Sequence, residues 1–326
     1  MLLSAWLARS TDGRGRAADS WVSIREKGSL LGIQFLATVS VLFGRRAARI
    51  VLHVPVLYFV MFHAGVRRAS RQYLARITGE APSLAMVYRH VLCFARVTLD
   101  RFFLLKGRDA LFHPVYNGHE HFVRLQSEGR GAILLSAHLG SSAAMRLGNR
   151  ASRYKINVAG YFQNARRINS LLERLDPEST ARVIHLSPLQ LDSVLAIRER
   201  IAAGEMVAIT ADRTGLNERA VKVSFLGGPA FFPTAPFLLA ALLRCPIYLV
   251  FALYRDPDIY ELYCEPFEED RLKLPRGQRD RALVACVGRY AQRVEHYCRM
   301  APYNWFNFYD FWSMDMPAAA AEGAKR

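Results

Sequence analysis

Residues 136–144 read SAHLGSSAA and follow the apolar run 132–135, a pattern that predicts a buried strand ending on one histidine, His138. The small residues after it predict a helix over 141–151, whose first backbone N–H groups could hold an anion or an oxyanion. A neutral imidazole at that point could deprotonate a hydroxyl attacking a thioester, and an isolated strand-end histidine is as readily a satisfied structural group. A second hydrophobic stretch, MVAITADR at 206–213, ends on Asp212 and Arg213. That acid could orient a base and the guanidinium could hold a phosphate, or the two could form a structural pair. Ligands of open α/β sheets sit beyond the carboxyl ends of the strands, so both tips are expected to face one cleft. FLGGPAFFPTAP at 225–236 contains Gly227 and Pro229; it is either a loop that lets a substrate approach the backbone or a tight strand-to-helix connection. Arg146, with Arg150 and Arg153, follows His138 on its predicted helix and could meet a phosphate or form a solvated face.

The elements that must position these residues alternate along the chain. Apolar spacing predicts a long amphipathic helix over 84–106 and a short one over 119–128. Strands are expected at 131–138, 156–162, 182–187 and 206–213, with helices at 165–176 and 191–204 between them, the last capped by Gly204. Strands separated by helices imply an α/β fold with a largely parallel central sheet flanked by helices. Three further strands, at 220–228, 246–255 and 260–267, are followed by a helix over 277–300 and an aromatic tail, YNWFNFYDFW at 303–312, that favours packing over chemistry.

Charge and hydropathy set residues 1–80 apart as a basic, apolar, membrane-anchoring region ahead of an α/β domain at 81–315 and a flexible tail at 316–326. Those first 80 residues hold 12 Lys and Arg against 4 Asp and Glu, half of the +16 excess of the whole 326-residue chain. Segments 28–44 and 50–66 each lack Asp, Glu, Lys and Arg; as helices they would reach roughly 26 Å against a hydrocarbon core of about 30 Å. One span or a shallow monotopic hairpin is expected, with Arg45, Arg46, Arg49, Arg67, Arg68 and Arg71 on anionic cytoplasmic lipid. No cleavable signal peptide is expected after the short apolar stub 1–7, which leaves the catalytic part at the cytoplasmic face of the inner membrane. Five cysteines without a CxxC pair suggest neither a disulfide framework nor a zinc site. A pI near 10.0 admits nucleic acid as a partner, but no standard nucleic-acid-binding motif is visible.

Taken in order, AHLGSSAAM, ITADRTG, VSFLGGPAFFPTAPFLLAALLRCP and APYNWFNFYDFW, with LDRFFLLKG at 99–107, resemble the bacterial lipid A late acyltransferase family. Within it they are most similar to the predicted acyltransferases of aryl polyene pigment clusters. That resemblance covers about residues 85–312 and implies an acyltransferase-like α/β fold on an inner-membrane protein. It implies transfer of an acyl chain from acyl carrier protein or a related thioester to a hydroxyl or amine of a membrane lipid or lipid-like acceptor. His138 would be the general base, with Asp212, Arg213, Gly227 and Pro229 in the surrounding cleft, and no metal or organic cofactor is implied. An acidic carrier would also suit the +16 charge.

One position departs from the family pattern. The family follows its histidine, after four residues, with Asp or Glu, which orients the imidazole and stabilises its protonated form; here that position is Ala143. Three readings follow. A substitute acid could serve, Asp212 first, with Ser141 or Ser142 as weaker partners; the enzyme could be slow; or it could be a non-catalytic family member that binds an acyl chain or a partner.

Overall fold

The computed structural model describes residues 30–148, 154–160, 182–186, 191–214, 218–275 and 277–312. Four helices come first: α1 (Leu30–Val51), broken at Gly44 where φ is 77°, α2 (His53–Phe62), α3 (Ala64–Thr78) and α4 (Leu84–Leu105). Ser83 caps α4 by accepting from the Met86 N–H, and the buried positions 87, 90, 91, 94 and 97 recur at helical spacing and face the core. There follow β1 (His113–Asn117), α5 (His119–Ser127), β2 (Ala132–Ser136), β3 (Ile156–Gly160), β4 (Val183–His185), α6 (Leu191–Ala202) and β5 (Met206–Thr210). The remainder is β6 (Ala220–Phe225), β7 (Gly228–Pro233), α7 (Ala235–Leu243), β8 (Ile247–Arg255), β9 (Ile259–Glu268) and α8 (Arg279–Met300).

Seven strands form one sheet in the order β1-β9-β8-β2-β5-β3-β4. The β8/β9 pair is antiparallel and every other neighbouring pair is parallel, so the expected parallel centre is present and β9 with β1 runs against it. Alternation along β2 divides the packing: Ile133 and Leu135 enter the large core shared with the helices, whereas Ala132 and Leu134 join a smaller cluster with Phe122, Tyr154, Met206 and Tyr248.

Three sequence expectations are corrected. The stretch after His138 is not an α-helix: Leu139 and Gly140 form β-bridges to Trp305 and Ala252, and only a 3₁₀ turn, Ala144–Gly148, follows. The physical reason is that the Gly140 and Ser141 N–H groups are bound to the Asn304 and Ala252 carbonyls, with Gly140 so close to β8 that a Cβ there would stand 1.9 Å from the Ala252 carbonyl oxygen. The strand expected at 220–228 is shorter, because β6 ends at Phe225 and turns back to pair with β7 in a separate hairpin on α8. Its two-residue turn, Leu226 (φ 49°) and Gly227 (φ 72°), has the positive φ values that match hairpin twist. The strand β1 was not foreseen; Pro114 and the exposed residues of HPVYN hide an edge strand.

The basic loop expected on lipid is also corrected in part. Arg45 forks onto Asp100 with contacts of 2.7 and 2.8 Å, Arg49 binds Asp256 and the Pro257 carbonyl, and Arg67 caps α2 through the Val60 and Met61 carbonyls. Acceptors within the protein hold these three cations. Arg46, Arg68 and Arg71 make no ion pair among the described residues. Helix 165–176, Arg150, Arg153 and the tail 316–326 lie outside the described residues.

Candidate active site

Register brings the two candidate residues together. Ser136 of β2 pairs with Thr210 of β5, and His138 and Asp212 each stand two residues further on, so the period-two alternation places both side chains on the same side of adjacent strand ends. His138 Nδ1 donates to Asp212 Oδ1 at 2.7 Å, and the His138 backbone N–H donates to Asp212 Oδ2 at 2.9 Å. This fixes the tautomer with the proton on Nδ1 and the lone pair on Nε2. Nε2 has no hydrogen-bond partner among the described residues, within a side chain that is 8% exposed.

The aromatic tail closes the site from behind. The Phe306 N–H donates to the His138 carbonyl at 2.8 Å, and the Gly140 N–H donates to the Asn304 carbonyl at 2.8 Å, so the tail runs alongside the histidine and holds its backbone. Two tail side chains reach Asp212: Trp305 Nε1 at 3.2 Å and Asn307 Nδ2 at 2.9 Å, both to Oδ2. Arg213, buried beside it, donates through Nε to Asn307 Oδ1 at 2.6 Å and through a terminal nitrogen to the Phe306 carbonyl at 3.0 Å. From α8, the Tyr290 hydroxyl donates to the Ser136 carbonyl at 2.7 Å.

The environment sets the charge states. Burial lowers the His138 pKa, the Arg213 charge lowers it further, and Asp212 opposes both without prevailing, so the ring is neutral at physiological pH. Burial works to raise Asp212, but His138 and Arg213 outweigh it and bring the carboxyl to about 2. A neutral imidazole backed by an ionised carboxylate can accept a proton at Nε2 and share the resulting positive charge with Asp212.

The other candidates are placed differently. Ala143 is buried and contributes no polar group, and Ser141 Oγ accepts from the Ala144 N–H rather than from the imidazole. The oxyanion expectation for the segment after His138 is weakened, because the N–H groups of Gly140, Ser141 and Ala144 are bound to Asn304, Ala252 and Ser141. Gly227 is in the hairpin turn and Pro229 at the start of β7, beside Leu226, whose backbone meets Arg76 and Glu295. Arg146 is exposed on the 3₁₀ turn. The sequence reading missed Asn307, and for Trp305 it favoured packing over chemistry; the available signal was a pair of asparagines, 304 and 307, set in an aromatic segment.

A family model for bacterial lipid A biosynthesis acyltransferases matches residues 23–313. The chain belongs to that family. Membership indicates an acyltransferase, with an acyl donor and a lipid acceptor in general terms. No curated protein matches the chain. Among the described residues no group of three or more His, Cys, Asp or Glu is arranged to hold a metal ion.

Proposed function

We propose that the protein transfers an acyl chain from acyl carrier protein, or a related thioester, to a hydroxyl or amine of a lipid or lipid-like acceptor at the membrane. His138 is the general base and Asp212 its orienting carboxylate. The observation that carries this reading is the 2.7 Å contact between His138 Nδ1 and Asp212 Oδ1, which leaves Nε2 as the basic nitrogen.

The acceptor O–H or N–H gives its proton to Nε2 as its lone pair attacks the thioester carbonyl. The tetrahedral intermediate then collapses, the C–S bond breaks, and the departing sulfur takes the proton back from Nε2. Asp212 keeps its charge throughout and stabilises the transient imidazolium. The non-catalytic alternative was motivated by Ala143; a carboxylate delivered from β5 supports the catalytic reading instead.

Membrane association draws support from α1 and α2, where Phe35, Leu42, Phe43, Ile50, Val54, Met61 and Phe62 are each at least 54% exposed. An apolar face of this extent suits a headgroup–acyl boundary. No single helix is long and apolar enough to cross a bilayer, although the run Phe35–Phe62 and α3, bent by 91°, pass that test together. We favour a monotopic seat on the inner membrane at its cytoplasmic face, and the motif resemblance supports an aryl polyene context.

Mass spectrometry of lipid extracts from cells with wild-type protein, His138→Ala or no protein tests the reading. An acylated product present only with the wild type is expected. Unchanged product with folded His138→Ala removes the catalytic role.

A further inference from the structure

The acid that backs His138 is itself held by a residue from the far end of the chain. Asp212 Oδ2 receives the His138 N–H, Trp305 Nε1 and Asn307 Nδ2, whereas among the described residues Oδ1 receives only His138 Nδ1. Asn307 is 2% exposed and uses both ends of one amide: its N–H binds Asp212 and its oxygen accepts from Arg213 Nε. That orientation is fixed by chemistry, because turning the amide over would set oxygen against carboxylate and N–H against guanidinium. An asparagine is the side chain that can separate a buried anion from a buried cation at this spacing while bonding to each.

Resting on the function proposed above, we propose that Asn307 is a positioning residue for acyl transfer: it anchors Asp212 Oδ2 and Arg213 together, so that Oδ1 stays aimed at the imidazole. The consequence is electrostatic as well as geometric. Among the described residues the charged groups facing His138 are Asp212 and Arg213 from the end of β5; Tyr309 from the tail and Tyr290 from α8, both buried and raised by burial, are neutral. Without the Asn307 oxygen, Arg213 loses one of its anchors; with a carboxylate in its place, the Arg213 charge that suppresses protonation of His138 is offset. Trp305 is a second donor to the same oxygen, and its carbonyl is held by His90 Nε2 at 2.8 Å, so Asn307 acts on a segment already pinned to α4.

Two substitutions in the full-length protein, in detergent micelles and with histidine ¹⁵N-labelled, test this by NMR, with His138→Gln assigning the ring signals. Asn307→Asp keeps size and adds a charge; the His138 titration midpoint is expected to rise by about one pH unit or more, as a like-sized opposite charge nearby dictates. Asn307→Leu removes both bonds; the low-field Nδ1–H resonance of His138, present in the wild type and lost in Asp212→Asn, is expected to disappear, and product in cells to fall by roughly tenfold to a hundredfold, the range by which supporting partners tune a site. A purely structural asparagine leaves the midpoint where it was. A folded Asn307→Asp that titrates within a few tenths of a unit of wild type, an Asn307→Leu that keeps the low-field signal, or one that loses the signal with product unchanged overturns the proposal. Should Asn307→Asp fail to fold, Asn307→Leu decides alone. The controls separate the two claims: full product from folded His138→Ala sinks the acyl-transfer reading, whereas no product from His138→Ala with normal spectra from the Asn307 variants sinks only the role of Asn307.

Discussion

At the residue scale, the carboxylate that the family pattern places after the histidine comes instead from an adjacent strand. The two positions are not interchangeable, because 139–143 is bridge and turn rather than helix and Ala143 is 9% exposed within the main core. Ala143→Glu is therefore expected to place an uncompensated carboxylate in the core at a cost of roughly 3–5 kcal/mol, visible as a lowered denaturant midpoint, without any gain in product. A rise in product with full stability would show that position 143 can still orient His138. Asp212→Asn is expected to cut the rate about 10⁴-fold, the scale of loss when an orienting carboxylate becomes an amide; a near-normal rate rules Asp212 out. Because the folded His138 pKa lies below its ordinary 6.5, the acid limb of a pH–rate profile for transfer is expected below pH 6.5.

At the scale of elements, two buried polar contacts tie the N-terminal helices to the sheet. His90 of α4 sits between Ser70 of α3, at 2.9 Å, and the Trp305 carbonyl, at 2.8 Å. Burial lowers its pKa to about 4, against a smaller opposing pull from the Trp305 bond. A folded value below the unfolded one means that the neutral ring stabilises the fold fully above pH 6.5 and loses that contribution as pH falls from 6.5 toward 4, about 3 kcal/mol in all. His90→Gln, which keeps one donor and one acceptor without titrating, is expected to flatten that part of a stability–pH curve measured by denaturation. An unchanged slope shows that another group carries it. Asp212 acts in a lower window: its depressed pKa adds stability above the ordinary carboxylate range that is lost as pH falls toward 2. The second tie is Arg45 on Asp100, a pair in which the acid is fully buried and also accepts from the Tyr260 hydroxyl at 3.0 Å. Arg45→Met leaves that carboxylate uncompensated, with an expected loss of 3–5 kcal/mol, on the order found for broken buried pairs. Thermal or chemical unfolding reads it directly, and a loss below about 1 kcal/mol would place Asp100 in the neutral form.

For the whole molecule, charge and hydropathy act on different surfaces. Much of the exposed apolar area lies on α1 and α2, and part of the cationic excess nearby is already neutralised by Asp100 and Asp256. Apolar burial is insensitive to salt, whereas headgroup attraction is screened. Full-length protein is thus expected to float with phosphatidylglycerol-containing vesicles and to remain bound at about 1 M salt, where the Debye length is roughly 3 Å. Phe43→Asp with Phe62→Asp should release it. Complete release of the wild type by salt alone would show that electrostatics, not apolar insertion, holds it.

By itself the sequence determined the α/β class, the strand ends bearing His138 and Asp212, and the long helices, because each follows from local periodicity and from where apolar runs stop. Pairing lay beyond it. Whether Asp212 meets His138 depends on β2 and β5 being neighbours in register, and the support of that carboxylate by Trp305 and Asn307 depends on a tail more than 90 residues downstream folding back across the site. Nor could local pattern reveal that the backbone at 139–141 is tied to β8 and the tail, since Ser and Ala there suit a helix as well. Those outcomes required the tertiary structure because hydrogen-bond partners distant in the chain, rather than intrinsic preference, choose the backbone path around the histidine.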